Sequence, residues 1–206
     1  MSVIAYNCPD LQVNVVDLNA DRINSWNDQD LSNLPVFEPG LENIVKKCRG
    51  KNLFFSTKIK ENIAKADIIF ISVNTPTKKR GIGAGYASDL KWIESSARQI
   101  AKYSKKHTIV IEKSTLPVKT AETIKTILSS SDQNDENLQE KYKKTFSIVS
   151  NPEFLAEGTA INDLQNPDRV LIGGEDEYSI KVVAGIYKNW VDEDRIIKTN
   201  LWSSEL

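Results

Sequence analysis

Short runs of β-branched and aliphatic residues recur along the chain at positions 13–17, 53–56, 68–73, 108–112, 146–150, 170–172 and 196–199, with amphipathic stretches between them. Short apolar runs bounded by polar turns read as buried strands, and their alternation with helical segments marks βαβ units around a parallel sheet. The clearest helix starts with Ser88 as its N-cap. It carries Leu90, Ile93, Ala97, Ile100 and Ala101 at helical spacing, so one face is apolar and should pack on the sheet. The pattern predicts a second helix over 120–128, a third over 178–190, and shorter ones opening near Asp21 and Leu41. Residues 129–144 turn polar and charged and read as a surface loop with no catalytic part. Residues 3–6 resemble the last turn of a helix. At the other end, 202–206 has the serine and early acid with which a helix opens. The expected fold class is α/β, with a doubly wound parallel, Rossmann-like sheet over 1–201 and the start of a connecting helix over 202–206.

With 206 residues, 40% of them hydrophobic, the chain can bury the core of one domain. The 27 basic and 28 acidic residues nearly cancel, leaving a net charge of -1. Such a balance gives no footprint for nucleic acid or an anionic membrane, and it favours small polar molecules as partners. No basic leader with a long apolar run opens the sequence and no stretch could span a bilayer, so the cytoplasm is the expected location. Cys8 and Cys48 are too few for a disulfide framework or a zinc cluster and read as reduced structural thiols; no metal is expected. His107 lies in a Lys-Lys-His context and should be solvated, whereas Trp92 and Trp190 read as helix packing residues.

Candidate chemistry begins at Asp17. Val13-Asn14-Val15-Val16-Asp17 is a buried-looking strand closed by an acid, the pattern of the second strand in a dinucleotide-binding unit, where the carboxylate accepts hydrogen bonds from the adenosine ribose. An acid there suits the diol of NAD better than the 2′-phosphate of NADP. The plainer alternative is that Asp17 caps the following helix. Arg22, on that helix, is placed to reach the adenosine end. The glycine fingerprint that should lie about twenty residues earlier has no counterpart, because no glycine precedes Asp17. The sheet is therefore expected to lack its first strand and glycine loop. Gly81-Ile82-Gly83-Ala84-Gly85 follows Lys78-Lys79-Arg80 rather than a strand and carries Tyr86 at the third glycine position, so it reads as a loop and not a phosphate cradle.

Ligands of doubly wound sheets bind beyond the carboxyl ends of the strands. Three such loops stand out: Val73-Asn74-Thr75-Pro76-Thr77, Glu112-Lys113-Ser114-Thr115-Leu116-Pro117, and Ser150-Asn151-Pro152-Glu153-Phe154-Leu155-Ala156-Glu157-Gly158. Each sets short hydrogen-bonding side chains beside a proline-fixed backbone. Turn chemistry accounts for one such loop, while three at matching strand ends point to a site.

These three segments, together with the continuation of the last through Ala160, with Asn166-Pro167-Asp168-Arg169-Val170-Leu171-Ile172-Gly173-Gly174, and with the 34–41 and 48–53 stretches, resemble the UDP-glucose 6-dehydrogenases of the UDP-glucose/GDP-mannose dehydrogenase family. Ala156 matches the animal and plant type. The resemblance implies an oxidoreductase that converts UDP-glucose to UDP-glucuronate with two NAD+, and a homo-oligomer. It implies that Asp17, Arg22, Val73, Asn74, Thr75, Pro76, Thr77, Leu116 and Glu157 contact the cofactor. It further implies Glu153 as the acid/base residue, Thr115 as a helper that positions water, and Glu153, Phe154, Leu155, Ala156 and Glu157 along the substrate. A strand-end carboxylate in a closed site can have a raised pKa suited to base catalysis. The family's catalytic lysine and nucleophilic cysteine belong to later segments, and neither Cys8 nor Cys48 matches that cysteine's context. The chain thus reads as a partial enzyme, truncated at both ends, for which full turnover alone is not expected. Without the glycine loop, pyrophosphate contacts of roughly 1.5–3 kcal/mol each would be lost. Without a central strand, stability would fall too. Two other classes remain: a non-catalytic partner subunit of an intact dehydrogenase, and a methyltransferase, faintly suggested by Asn151-Pro152-Glu153-Phe154.

Overall fold

A computed structural model describes residues 1–113, 119–130 and 144–206 of the chain. Among these, the β-branched runs form β1 (Val13–Val16), β2 (Leu53–Ser56), β3 (Ile68–Ile71), β4 (Thr108–Glu112), β5 (Phe146–Ser150), β6 (Val170–Gly174) and β7 (Ile196–Thr199). The helices are α1 (Ser2–Asn7), α2 (Ala20–Asn27), α3 (Leu41–Cys48), α4 (Ile59–Lys65), α5 (Lys91–Tyr103), α6 (Thr120–Ser130), α7 (Ala160–Gln165), α8 (Glu177–Tyr187) and α9 (Leu201–Glu205). The expected α/β class is what the chain adopts. Its strands divide into a two-stranded sheet, β1-β2, and a five-stranded sheet in the order β3-β4-β5-β6-β7.

β1 and β2 are parallel, as are β3, β4 and β5. β6 departs from the expected direction. It runs antiparallel to β5 through the pairs Val149↔Gly174 and Ser150↔Gly173. Apolar periodicity reports which face is buried and carries no information about strand direction, so this reversal had no signal in the sequence.

The chain forms two compact units, one made of residues 1–62, 154–170 and 183–196, the other of 63–153, 171–182 and 197–206. In the first, α3 places Leu41, Ile44, Val45 and Cys48 on one buried face, the spacing of an amphipathic helix. That face packs against Val3, Ile4 and Ala5 of α1. Trp26 of α2 stacks on Phe55 of β2 with ring centroids 4.7 Å apart. Cys8 and Cys48 are both buried free thiols, and burial pushes both thiols up in pKa, in keeping with a structural role.

In the second unit every residue of β4 is buried. Ile93, Ala97, Ile100 and Ala101 make the buried face of α5, which packs on α6 through Ala121, Ile124 and Leu128, and α6 in turn lies on β5. The start of α5 is later than expected. Ser88 pairs with Thr77 in an isolated antiparallel bridge, and it is the Asp89 carboxylate that accepts from Lys91 N at 3.1 Å. Trp92, expected to pack, is 47% exposed, whereas Trp190 is half-buried and donates to Leu164 O at 2.8 Å. His107 is exposed, with its Nδ1 2.8 Å from Thr145 Oγ1. Residues 131–143, most of the expected polar loop, lie outside the described residues.

Candidate functional site

The register of the second unit lines up three strand ends. Ile71 is level with Glu112, and Glu112 with Ser150, so the segments that follow β3, β4 and β5 leave from one edge of the sheet. Lys113 N donates to Ile71 O at 3.2 Å, and Asn151 N donates to Glu112 O at 2.9 Å, which extends the ladder one step beyond the strands. Asn151 is 1% exposed, and its side chain donates to Leu171 O at 2.8 Å, tying the β5 exit to β6. The next side chain but one is Glu153. Its carboxylate is half-buried and stands 3.5 Å from the Lys113 ammonium, whose side chain is 12% exposed. At the end of β3, Val73 and Thr75 are half-buried while Asn74, Pro76 and Thr77 are exposed. The segments that carry Val73–Thr77 and Glu153 thus both start from this edge. Thr115 and Leu116 lie outside the described residues.

Glu112 was not among the expected site residues. It is 2% exposed, and among the described residues its Oε1 has no hydrogen-bond partner. Its carboxyl is pushed up from an ordinary 4.5 to about 8, chiefly by burial and further by the nearby Glu205 carboxylate, with Ser150 and Lys113 opposing the rise. A signal for it existed: Ile109-Val110-Ile111 has no polar alternation, the mark of a strand buried on both faces, which would place Glu112 in the core as well.

In the first unit, Asp17 leaves the end of β1 with one oxygen accepting from Asn19 N at 2.9 Å and the other 3.8 Å from Arg22 Nη1. Asn19, not Asp17, caps α2, accepting from Arg22 N at 3.0 Å. The helix-cap alternative for Asp17 therefore gives way to a half-buried carboxylate paired with an exposed guanidinium. The carboxylate only accepts hydrogen bonds and the neighbouring guanidinium only donates them.

The same unit holds residues 154–157. Phe154 is 53% exposed, with the Arg169 guanidinium 5.1 Å from its ring centre; Leu155 is half-buried, and Ala156 and Glu157 are exposed. Ala156 N donates to the Asp163 carboxylate at 3.3 Å, and Gly158 N to Glu38 at 3.1 Å. The glycine-rich stretch, expected to be a loop, forms turns. Four N–H groups serve these turns: Ala84 N donates to Gly81 O, Gly85 N to Lys78 O, and both Tyr86 N and Ala87 N to Gly83 O.

The family described as UDP-glucose/GDP-mannose dehydrogenase, NAD binding domain, matches residues 1–191. The chain belongs to the UDP-glucose/GDP-mannose dehydrogenase family. Over 210 aligned residues it is 55% identical to UDP-glucose 6-dehydrogenase 3 of Oryza sativa subsp. japonica and 54% identical to UDP-glucose 6-dehydrogenase 2 of Arabidopsis thaliana. Each alignment takes in 100% of this chain and 41% of the relative, so the chain spans well under half the length of these relatives. Among solved structures, the UDP-glucose dehydrogenase of the archaeon Pyrobaculum islandicum superposes with a TM-score of 0.81 at 26% identity, covering 98% of this chain and 44% of that one. The GDP-mannose dehydrogenase of Pseudomonas aeruginosa, solved as a ternary complex, gives a TM-score of 0.81 at 27% identity over 98% of this chain and 45% of that one. Membership of this dehydrogenase family sets aside the methyltransferase alternative, and the cofactor class of the matched domain is NAD, as Asp17 suggested.

Proposed function

We propose that this protein contributes the NAD-binding portion of a UDP-glucose 6-dehydrogenase, which oxidises the C6 alcohol of UDP-glucose to a carboxylate. The overall change takes UDP-glucose, two NAD+ and water to UDP-glucuronate, two NADH and three protons. Bound NAD+ supplies the hydride acceptor for each oxidation. The protein's own residues hold and orient the reactants and handle protons. Asp17 accepts from the adenosine ribose diol, with Arg22 beside it; Val73, Asn74, Thr75, Pro76 and Thr77 contact the dinucleotide, as does Glu157. Leu116 joins them from outside the described residues, and Thr115 positions water. Residues Phe154, Leu155, Ala156 and Glu157 lie along the nucleotide sugar. Glu153 is the acid/base residue, and the Lys113 ammonium 3.5 Å away fixes where its carboxylate can sit. The catalytic nucleophile is not one of the two buried cysteines, whose raised pKa values oppose thiolate formation. We place the protein in the cytoplasm, assembled as a homo-oligomer or with intact dehydrogenase subunits; no helix among the described residues is long and apolar enough to cross a membrane.

The observation that carries this reading is the acid at the tip of β1, paired with Arg22 and not consumed as a helix cap. Titration of NAD+ into the purified protein tests it. Saturable binding is expected, weakened about 10- to 100-fold in Asp17→Ala, the loss that goes with a hydrogen bond to a charged group. Equal binding by the two proteins, or no saturation in either, refutes the role of Asp17.

A further inference from the structure

Residues 154–159 carry side chains that are mostly exposed, so packing does little to fix them. α7, which follows, has six residues, too short a helix to hold its own shape. The segment nonetheless adopts a defined path, with Gly158 at φ +86, a conformation that other side chains rarely take. Three groups hold it. The Arg169 guanidinium sits against the Phe154 ring. The Asp163 carboxylate accepts from Ala156 N at 3.3 Å and from the Thr159 hydroxyl at 2.8 Å. Both belong to the same stretch of chain. The third group comes from 120 residues away: Glu38 accepts from Gly158 N through Oε1 at 3.1 Å and from Ala160 N through Oε2 at 3.3 Å.

Glu38 is itself placed by its neighbours. Its carbonyl accepts from Leu41 N at 3.0 Å, and Gly40, at φ +87, brings the turn against α7, where a Cβ would meet Ile161 Cγ2 at 3.6 Å. Two charge-assisted bonds from one carboxylate fix both the position and the direction of the backbone that donates them.

We propose that Glu38 is a positioning residue whose carboxylate, by clamping Gly158 N and Ala160 N, sets the shape of residues 154–160 as a receptor for the nucleotide sugar. The second half of that statement rests on the proposed function. The first half does not. Amide hydrogen exchange on the full 206-residue chain separates the two. In Glu38→Ala, Gly158 and Ala160 are expected to exchange about tenfold faster or more, with Glu38→Gln between it and the parent because an amide keeps one acceptor. Val13 N and Arg49 N, bonded to Asn52 O and Val45 O in the same unit, should keep their rates. Unchanged exchange at Gly158 and Ala160 overturns the clamp. So does an acceleration that includes Val13 and Arg49, which reports general loosening.

UDP-glucose titrated into the same three proteins supplies the second readout. About tenfold weaker binding by Glu38→Ala, partly restored in Glu38→Gln, supports the receptor role. Equal affinity in all three overturns it. Failure of the parent to bind UDP-glucose removes the proposed substrate and with it the receptor half of the proposal, while the exchange result still decides the clamp.

Discussion

A carboxyl group buried at the end of β4 makes the stability of the protein depend on pH in an unusual direction. Glu112 holds its proton up to about pH 8 in the folded chain, whereas the unfolded chain releases it near 4.5. Between those values the folded state binds more protons than the unfolded state, so stability declines as pH rises through the window. The contribution is present below pH 4.5 and lost above about 8, with a size on the order of a few kcal/mol. Replacement by glutamine keeps the shape and removes the titration. Chemical denaturation of Glu112→Gln should show a flatter profile across this range and greater stability than the parent at pH 9. A parent profile that rises steadily through the same range would contradict the burial argument. At this scale the sequence spoke unevenly. Asp17 and the residues after β3 drew attention because they follow apolar runs, whereas Glu153, three residues past the end of β5, was singled out through the family resemblance. Glu38 was not, since its partners lie 120 residues on and nothing in Pro-Val-Phe-Glu-Pro-Gly marks a carboxylate aimed at distant amides.

Elements were legible where one period dominates. Leu53–Ser56, Thr108–Glu112 and Ile196–Thr199 begin and end where the apolar runs do. α5 was misread at its start because a serine in an N-cap position was engaged in a bridge to Thr77, a contact that local sequence does not encode. α7 was too short to show a period. The antiparallel β6 is held by features equally silent in the pattern. Gly173 lets α9 approach: a Cβ there would lie 2.0 Å from Ser204 Oγ and 2.6 Å from Asn200 O, the second a backbone atom that cannot swing away. From the same helix, the Glu205 carboxylate accepts from Lys119 N and Ala121 N, each at 2.8 Å, and so caps α6. Gly173→Ala should therefore displace α9 and lower stability by about 1–3 kcal/mol, the usual range for overpacking. The loss is read as a lower denaturation midpoint, accompanied by faster exchange at Lys119 and Ala121. Stability equal to the parent would mean that α9 does not pack on β6 as described.

On the scale of the whole molecule, charge decides how a nucleotide ligand is found. The near-equal numbers of acidic and basic residues leave a net charge of -1 on 206 residues, so the protein projects little field beyond its surface. In the proposed function the Asp17 carboxylate, with the Arg22 guanidinium 3.8 Å from it, is a local contact for the dinucleotide. In that proposed role the carboxylate would meet a neutral diol, an interaction that counterions screen weakly. Raising the ionic strength from about 0.01 M to about 0.1 M shortens the screening length from roughly 30 Å to roughly 10 Å, which strips away long-range steering and leaves contacts made at hydrogen-bond distance. NAD+ affinity of the parent protein should accordingly change by less than about threefold over that range, far below the tenfold-per-1.4 kcal/mol effect of losing a direct contact. The measurement is a titration at each salt concentration. A steep fall in affinity would show that NAD+ is held chiefly by charge on its pyrophosphate, and the weight placed on Asp17 would then have to move to the lysines and arginines.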